Sequence, residues 1–319
     1  MKTLIETIFE LLFTMIKGVF DLISFLLDIN TNEKLFDHSV MKGSDKRKIF
    51  SRFHKGIVIN GIKRITIKQS ITHTLIVGKS GIGKTSSVYQ VNLLKAKNQS
   101  YVITDLDGSM FKTCSGYLAR KGYHIQVLNF NDVTQSAFFC PIYFCKTVDE
   151  LKALAEQILF SSNAAKGGND LFWSYSATHL LFFLLKLVKT QPIEYQNLSN
   201  VRHLLSLMET KGFKEFVSQN ISGTLFDDYI SFLSKDVKLR TNIQASLSAT
   251  LDLFSYSDIG HISAKNTLDL DRLIQPKSAL FIIVPERLLI RNSLILSTFY
   301  ATLFNHIQKN KPKKPLFFL

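Results

Sequence analysis

Hydrophobic patterning changes twice along the 319 residues. Over residues 57–130, short apolar runs alternate with helical spacing. Residues 57–60 and 62–68 predict two short strands about Asn60-Gly61, a hairpin signal. Residues 74–77 (Thr-Leu-Ile-Val) predict a strand, and a helix begins near Lys84 with Val88, Val91 and Leu94 on one face. Strands are then expected over 101–105 and 124–130, with a helix over 111–121 between them. Strand, helix, strand, helix, strand at this spacing predicts an α/β fold with a mostly parallel sheet and flanking helices. From about Val148 to Ser257 the period is helical throughout, predicting helices over 149–160, 172–189, 198–210, 224–234 and 237–254. Residues 180–185 are apolar on all sides, which suits a helix buried within an α-domain but is too short for a bilayer. Sheet character returns at 279–284, followed by a long helix over 288–308 and an apolar run at 315–319. That order describes an all-α domain inserted into an α/β domain. The pattern stops inside an expected buried strand, so the chain reads as a truncated open reading frame.

Residues 3–27 are strongly apolar but carry Glu6, Glu10, Lys17 and Asp21 at offsets of four, seven and four. On a helix these charges form one polar stripe, so no run reaches the eighteen or so uncharged residues of a membrane span. Acidic residues in the apolar stretch and the lack of a small-residue cleavage site argue against a signal peptide. Two readings stand: an amphipathic helix on a membrane surface or on partner helices, or an ordinary core helix.

Apolar residues at 46% and charged residues at 20% describe a globular chain. Its 39 Lys+Arg against 25 Asp+Glu give a formal charge of +14, which fits a polyanionic partner, either nucleic acid or an anionic membrane. Cys114, Cys140 and Cys145 have no C-x-x-C spacing, and the histidines show no ligand spacing. The cysteines therefore read as reduced thiols, and no metal chemistry beyond Mg²⁺ is indicated.

Gly78-Lys79-Ser80-Gly81-Ile82-Gly83-Lys84-Thr85 matches G-x-x-x-x-G-K-[ST] between an expected strand and an expected helix. Glycines let the backbone curl so that N–H groups, here from Gly81 through Ser86, point at phosphate oxygens, and the helix adds its positive end. Lys84 is assigned to the β- and γ-phosphates and Thr85 to Mg²⁺, so ATP and Mg²⁺ are the expected cofactors. Asp105, ending the next strand, is the candidate for a second acidic group that orders Mg²⁺ and polarises water. The alternative for Asp105 and Asp107 is helix capping or turn formation. Arg240 reads as a trans arginine finger or as a surface arginine.

Four stretches resemble the VirD4/TraG family of type IV secretion (conjugative) coupling proteins. They are the P-loop; the run from Thr104-Asp105-Leu106-Asp107-Gly108-Ser109 through Gly116-Tyr117-Leu118 to Val127-Leu128-Asn129; Cys140-Pro141-Ile142; and Gly168-Asn169-Asp170-Leu171-Phe172-Trp173. The resemblance implies a RecA-like P-loop NTPase with an inserted all-α domain. Its expected segments are 1–29 (amphipathic helix), 30–70 (basic linker and hairpin), 71–147 and 259–319 (NTPase), and 148–258 (all-α). It implies ATP-driven translocation or delivery of DNA–protein substrates, and DNA, relaxosome and secretion-channel proteins as partners. A homo-oligomeric ring at the cytoplasmic face of a bacterial inner membrane, or in the cytoplasm, also follows from it. The family's D-P-K-G-E is Asp105-Leu106-Asp107-Gly108-Ser109 here, and its acidic pair after the Walker B strand would lie beyond Leu319. Hydrolysis by these residues is therefore an open expectation. The competing functions are another P-loop NTPase, such as a nucleotide kinase or an FtsK/HerA-like motor, and a truncated, non-hydrolysing remnant.

Overall fold

Four strands build the sheet: β1 (Ser100–Asp105), β2 (His124–Asn129), β3 (Ser278–Ile283) and β4 (Leu316–Phe318). They lie in the order β2-β3-β1-β4, every pair parallel, with Val102 opposite Leu280 and Phe318, and Leu128 opposite Ile282. β3 is buried along its whole length, as a strand covered on both faces must be. Side chains alternate between two cores. Tyr101, Ile103, Ala279 and Phe281 face one, and Val102, Leu280 and Ile282 face the other. The computed structural model describes residues 49–319 except Asn60, His73, Gly78, Ser80 and 167–170, and omits the side chains of 163–174 and Asn220. The expected helix over 3–27, the basic segment up to residue 48, P-loop residues Gly78 and Ser80, and the candidate stretch at 168–170 with the Phe172 and Trp173 side chains lie outside the described residues. Arg52–Leu319 forms one unit.

On the first face, a hairpin leads into α1 (Ile67–Ser70). It is held by Ile65 N–H to Ile57 O at 3.0 Å and Ile59 N–H to Lys63 O at 2.9 Å. Of the two strands expected over 57–60 and 62–68, only a single antiparallel bridge, Val58 to Arg64, forms among the described residues. The second run ends at Thr66 because Thr66 and Gln69 form a capping box, each accepting from the other's backbone N–H. Gly56 is obligatory here: an added Cβ would lie 2.5 Å from the Ile65 and Thr66 carbonyl oxygens. A π-helical turn (Thr85–Gln90) continues into α2 (Val91–Leu94), and α3 (Ser109–Arg120) packs beside it. Leu93, Met110, Cys114 and Leu118 close that core against the sheet.

The second face is covered by helices drawn largely from the long excursion between β2 and β3. They are α4 (Pro141–Phe144), α5 (Val148–Lys166), α6 (Leu171–Lys189), α7 (Leu198–Leu207), α8 (Lys211–Asn220), α9 (Thr224–Leu233), α10 (Val237–Leu251), α11 (Ser257–Ser263) and α12 (Leu270–Leu273). α13 (Ser293–Lys309), between β3 and β4, joins them through Phe299 and Leu303. α4, α8, α11 and α12 are additional to the sequence expectation. For α8 the signal was present, with Thr210 capping Phe213 N–H and Phe213, Phe216 and Val217 at helical offsets.

Candidate nucleotide-binding site

The loop before the π-turn is built on two left-handed glycines, Gly81 (φ 78°) and Gly83 (φ 85°), a conformation that costs other residues energy. A Cβ at Gly83 would lie 3.2 Å from Ser86 Oγ. Lys84 opens the helical turn and reaches back across the loop, where its ammonium donates to Lys79 O at 2.9 Å. Ser86 and Ser87 turn their hydroxyls onto Gly83 O at 3.1 and 2.6 Å. Gly81, Ile82, Thr85 and Ser86 are open to solvent. The donor set suits a polyphosphate: an ammonium, a row of N–H groups at a helix start, and exposed hydroxyls. No Asp or Glu occurs from Arg52 to Thr104.

The helix leaving this loop runs alongside α3. Gln90 donates to Thr113 Oγ1 near one end, and Lys121 donates to Leu94 O and Ala96 O near the other. Both helix N-termini therefore point to the C-terminal edge of the sheet, where ligands of open α/β folds sit. Asp105 ends β1 at that edge. It is 1% exposed, and burial raises its carboxyl above the usual range despite an N–H bond from Phe111 at 2.8 Å. Asp107 is lowered, chiefly by hydrogen bonds from Ser109, whose N–H lies 2.9 Å away. Both carboxylates thus receive the start of α3, which is the capping role weighed for them.

Two expectations change. Residues 74–77 are not a strand: they make no ladder with the sheet, and Leu75 and Val77 are 88% and 85% exposed. A strand exists only through its neighbours, and β4 pairs three residues with β1 alone among the described residues. Arg240 is no free finger. Its guanidinium donates to Leu233 O and Lys235 O at 2.8 and 2.9 Å and pairs with Glu209, fastening α9 to α10. A cavity of about 500 Å³ lies elsewhere, among Leu187, Leu204, Leu207, Phe213 and Phe216, and holds no motif residue.

Residues 28–318 match the family model for type IV secretory system conjugative DNA transfer. The chain belongs to that family. Its fold is shared with solved structures of the bacterial conjugative coupling protein TrwB. The unbound form aligns at a TM-score of 0.62 and 15% identity over 87% of this chain and 62% of TrwB's. The form with ADP and Mg²⁺ aligns at 0.62 and 15% over 88% and 63%, and the form with a non-hydrolysable ATP analogue at 0.61 and 15% over 88% and 63%. This member of the family spans less than two thirds of those chains. A search of curated proteins finds no match. The RecA-like P-loop fold expected from the motifs is the fold found.

Proposed function

We propose that this chain binds ATP with Mg²⁺ at residues 78–86 and serves as the nucleotide-driven coupling component of a conjugation system, delivering DNA–protein substrates. The observation that carries this is Lys84, placed at a helix start and spanning a loop of left-handed glycines. A triphosphate displaces its bond to Lys79 O, and the ammonium then neutralises phosphate charge while the loop N–H groups orient the chain of phosphates. Thr85 supplies the hydroxyl ligand to Mg²⁺, and the ion when bound offsets charge on the phosphate oxygens. Asp105 is the acidic group proposed to position water. The 71–147 and 259–319 segments form the NTPase part and 148–258 the all-α part of that assembly. Homo-oligomeric ring formation, relaxosome and channel partners, sequence-independent DNA binding, and placement at the cytoplasmic face of the inner membrane with residues 3–27 on its surface belong to the same proposal.

Lys84→Ala lowers ATP·Mg²⁺ affinity more than about tenfold by calorimetry while changing stability by less than about 0.5 kcal/mol. Undiminished binding overturns the proposal. A second reading is favoured by one contact: Asp105 already accepts the Phe111 N–H, so the chain binds nucleotide without turning it over. DNA-stimulated phosphate release by the wild-type chain, lost in Asp105→Asn, excludes that reading.

A further inference from the structure

Nine Lys and Arg lie between Arg52 and Thr104 without one Asp or Glu. Lys79 and Lys84 belong to the P-loop. Most of the others gather at the opposite end of the helix that follows it, around the hairpin. Arg64 donates to Lys95 O at 3.3 Å, the Lys95 ammonium bonds Gly61 O at the hairpin tip, and Gln99 ties down Lys55 O. Lys121 joins through Leu94 O and Ala96 O, and Lys277 through Lys121 O at 3.2 Å. Arg64, Lys95, Lys121 and Lys277 hydrogen-bond backbone carbonyls, and among the described residues none of them forms a salt bridge. The result is a field of fixed positive charge. Out of the same surface project two large apolar side chains, Ile62 at 69% exposure on the hairpin tip and Phe53 at 78%, with the Arg52 guanidinium 4.9 Å from its ring.

We infer that this hairpin face docks on an anionic lipid bilayer. The cations meet phosphate headgroups, and Ile62 and Phe53 enter the boundary between headgroups and acyl chains, the combination that interfacial binding uses. A duplex DNA backbone would satisfy the cations but give the apolar tips nothing to bury. Continuity of the chain favours the same partner. Immediately before Arg52 run Lys42, Lys46, Arg47 and Lys48, and before them the apolar residues 3–27. The inference deepens the membrane-surface placement proposed above by adding a second contact in the described part of the chain, and it needs neither nucleotide nor DNA.

A probe at residue 62 separates the two contacts. All three native cysteines are buried, so Ile62→Cys in the full chain takes an environment-sensitive maleimide dye selectively, and Ile193→Cys, at an equally exposed site among the helices, is the control. With phosphatidylcholine vesicles containing phosphatidylglycerol, the dye at 62 shifts to the blue and is quenched by lipid-borne nitroxide, while the dye at 193 stays water-like. Lys95→Glu with Lys97→Glu lowers the vesicle affinity read at 62 at least about tenfold. No shift at 62, or equal shifts at both sites, overturns the inference. A shift produced by duplex DNA and not by vesicles also overturns it and assigns the face to nucleic acid. Flotation of the unlabelled chain with an unshifted probe at 62 leaves the placement through residues 3–27 standing and removes this contact alone.

Discussion

Asn92 acts as a piece of backbone. Buried under the hairpin, it donates to Val58 O at 2.9 Å and to Val88 O at 2.8 Å, and accepts from Val58 N–H at 2.8 Å. Its amide thereby ties the hairpin to the helix that carries the P-loop. Asn92→Ala strands both groups of Val58, itself wholly buried, and is expected to cost about 2–4 kcal/mol, read as a lower denaturation midpoint at unchanged slope. A loss below about 1 kcal/mol would show that water replaces the amide. Nothing in the sequence marked this residue, because an asparagine between Val91 and Leu93 looks like any polar position on a helix. The P-loop residues were legible for the opposite reason: their chemistry is carried by local backbone geometry, which glycine spacing encodes. Asp105 was legible only as a candidate, since burial and its Phe111 partner come from packing.

At the level of elements, boundaries follow from caps. Glu150 accepts from Lys146 and Thr147 N–H at 2.6 and 3.0 Å, Thr147 Oγ1 accepts from Glu150 N–H at 3.2 Å, and the carboxylate also pairs with Lys309 at the far end of α13. The Lys309 bond first, and then the Lys146 N–H, lower its pKa from 4.5 to about 2. A lowered folded-state pKa means that Glu150 stabilises the fold above pH 4.5, and that this contribution is lost as pH falls from there towards 2. Glu150→Gln is therefore expected to destabilise at pH 7 by about 1 kcal/mol and to flatten the stability profile between pH 5 and 2, as followed by urea titrations. An unchanged acid slope would mean that the carboxylate is as solvated in the fold as in the open chain. Caps of this kind lie within a few residues, and T-x-x-E at Thr147 and T-x-x-Q at Thr66 are both visible in the sequence. The strand expected over 74–77 failed because four apolar residues specify only a preference; pairing belongs to whichever strand lies alongside.

The whole molecule is held by a core that does not stop at the sheet. Val102, Leu128, Leu280 and Ile282 belong to the same buried cluster as Ile158, Leu181 and Leu247 of the helices. Phe299 sits within it, wholly buried, with its ring 5.2 Å from that of Phe139. Phe299→Ala should cost about 3–5 kcal/mol, and sheet and helices should still melt together, with far- and near-UV circular dichroism giving one midpoint. Two separated midpoints would mean that the helical region is its own cooperative unit. The sequence by itself determined the α/β-then-α-then-α/β order, most helices and the loop built on left-handed Gly81 and Gly83, because hydrophobic period, caps and glycine placement act over a few residues. Only the tertiary structure decided that β3 lies between β1 and β2, that residues 74–77 stay outside the sheet, that Arg240 is a clamp, and that cations far apart in number converge beside Ile62. Those outcomes depend on which surfaces meet across 20 to 180 residues, and no local pattern carries that information.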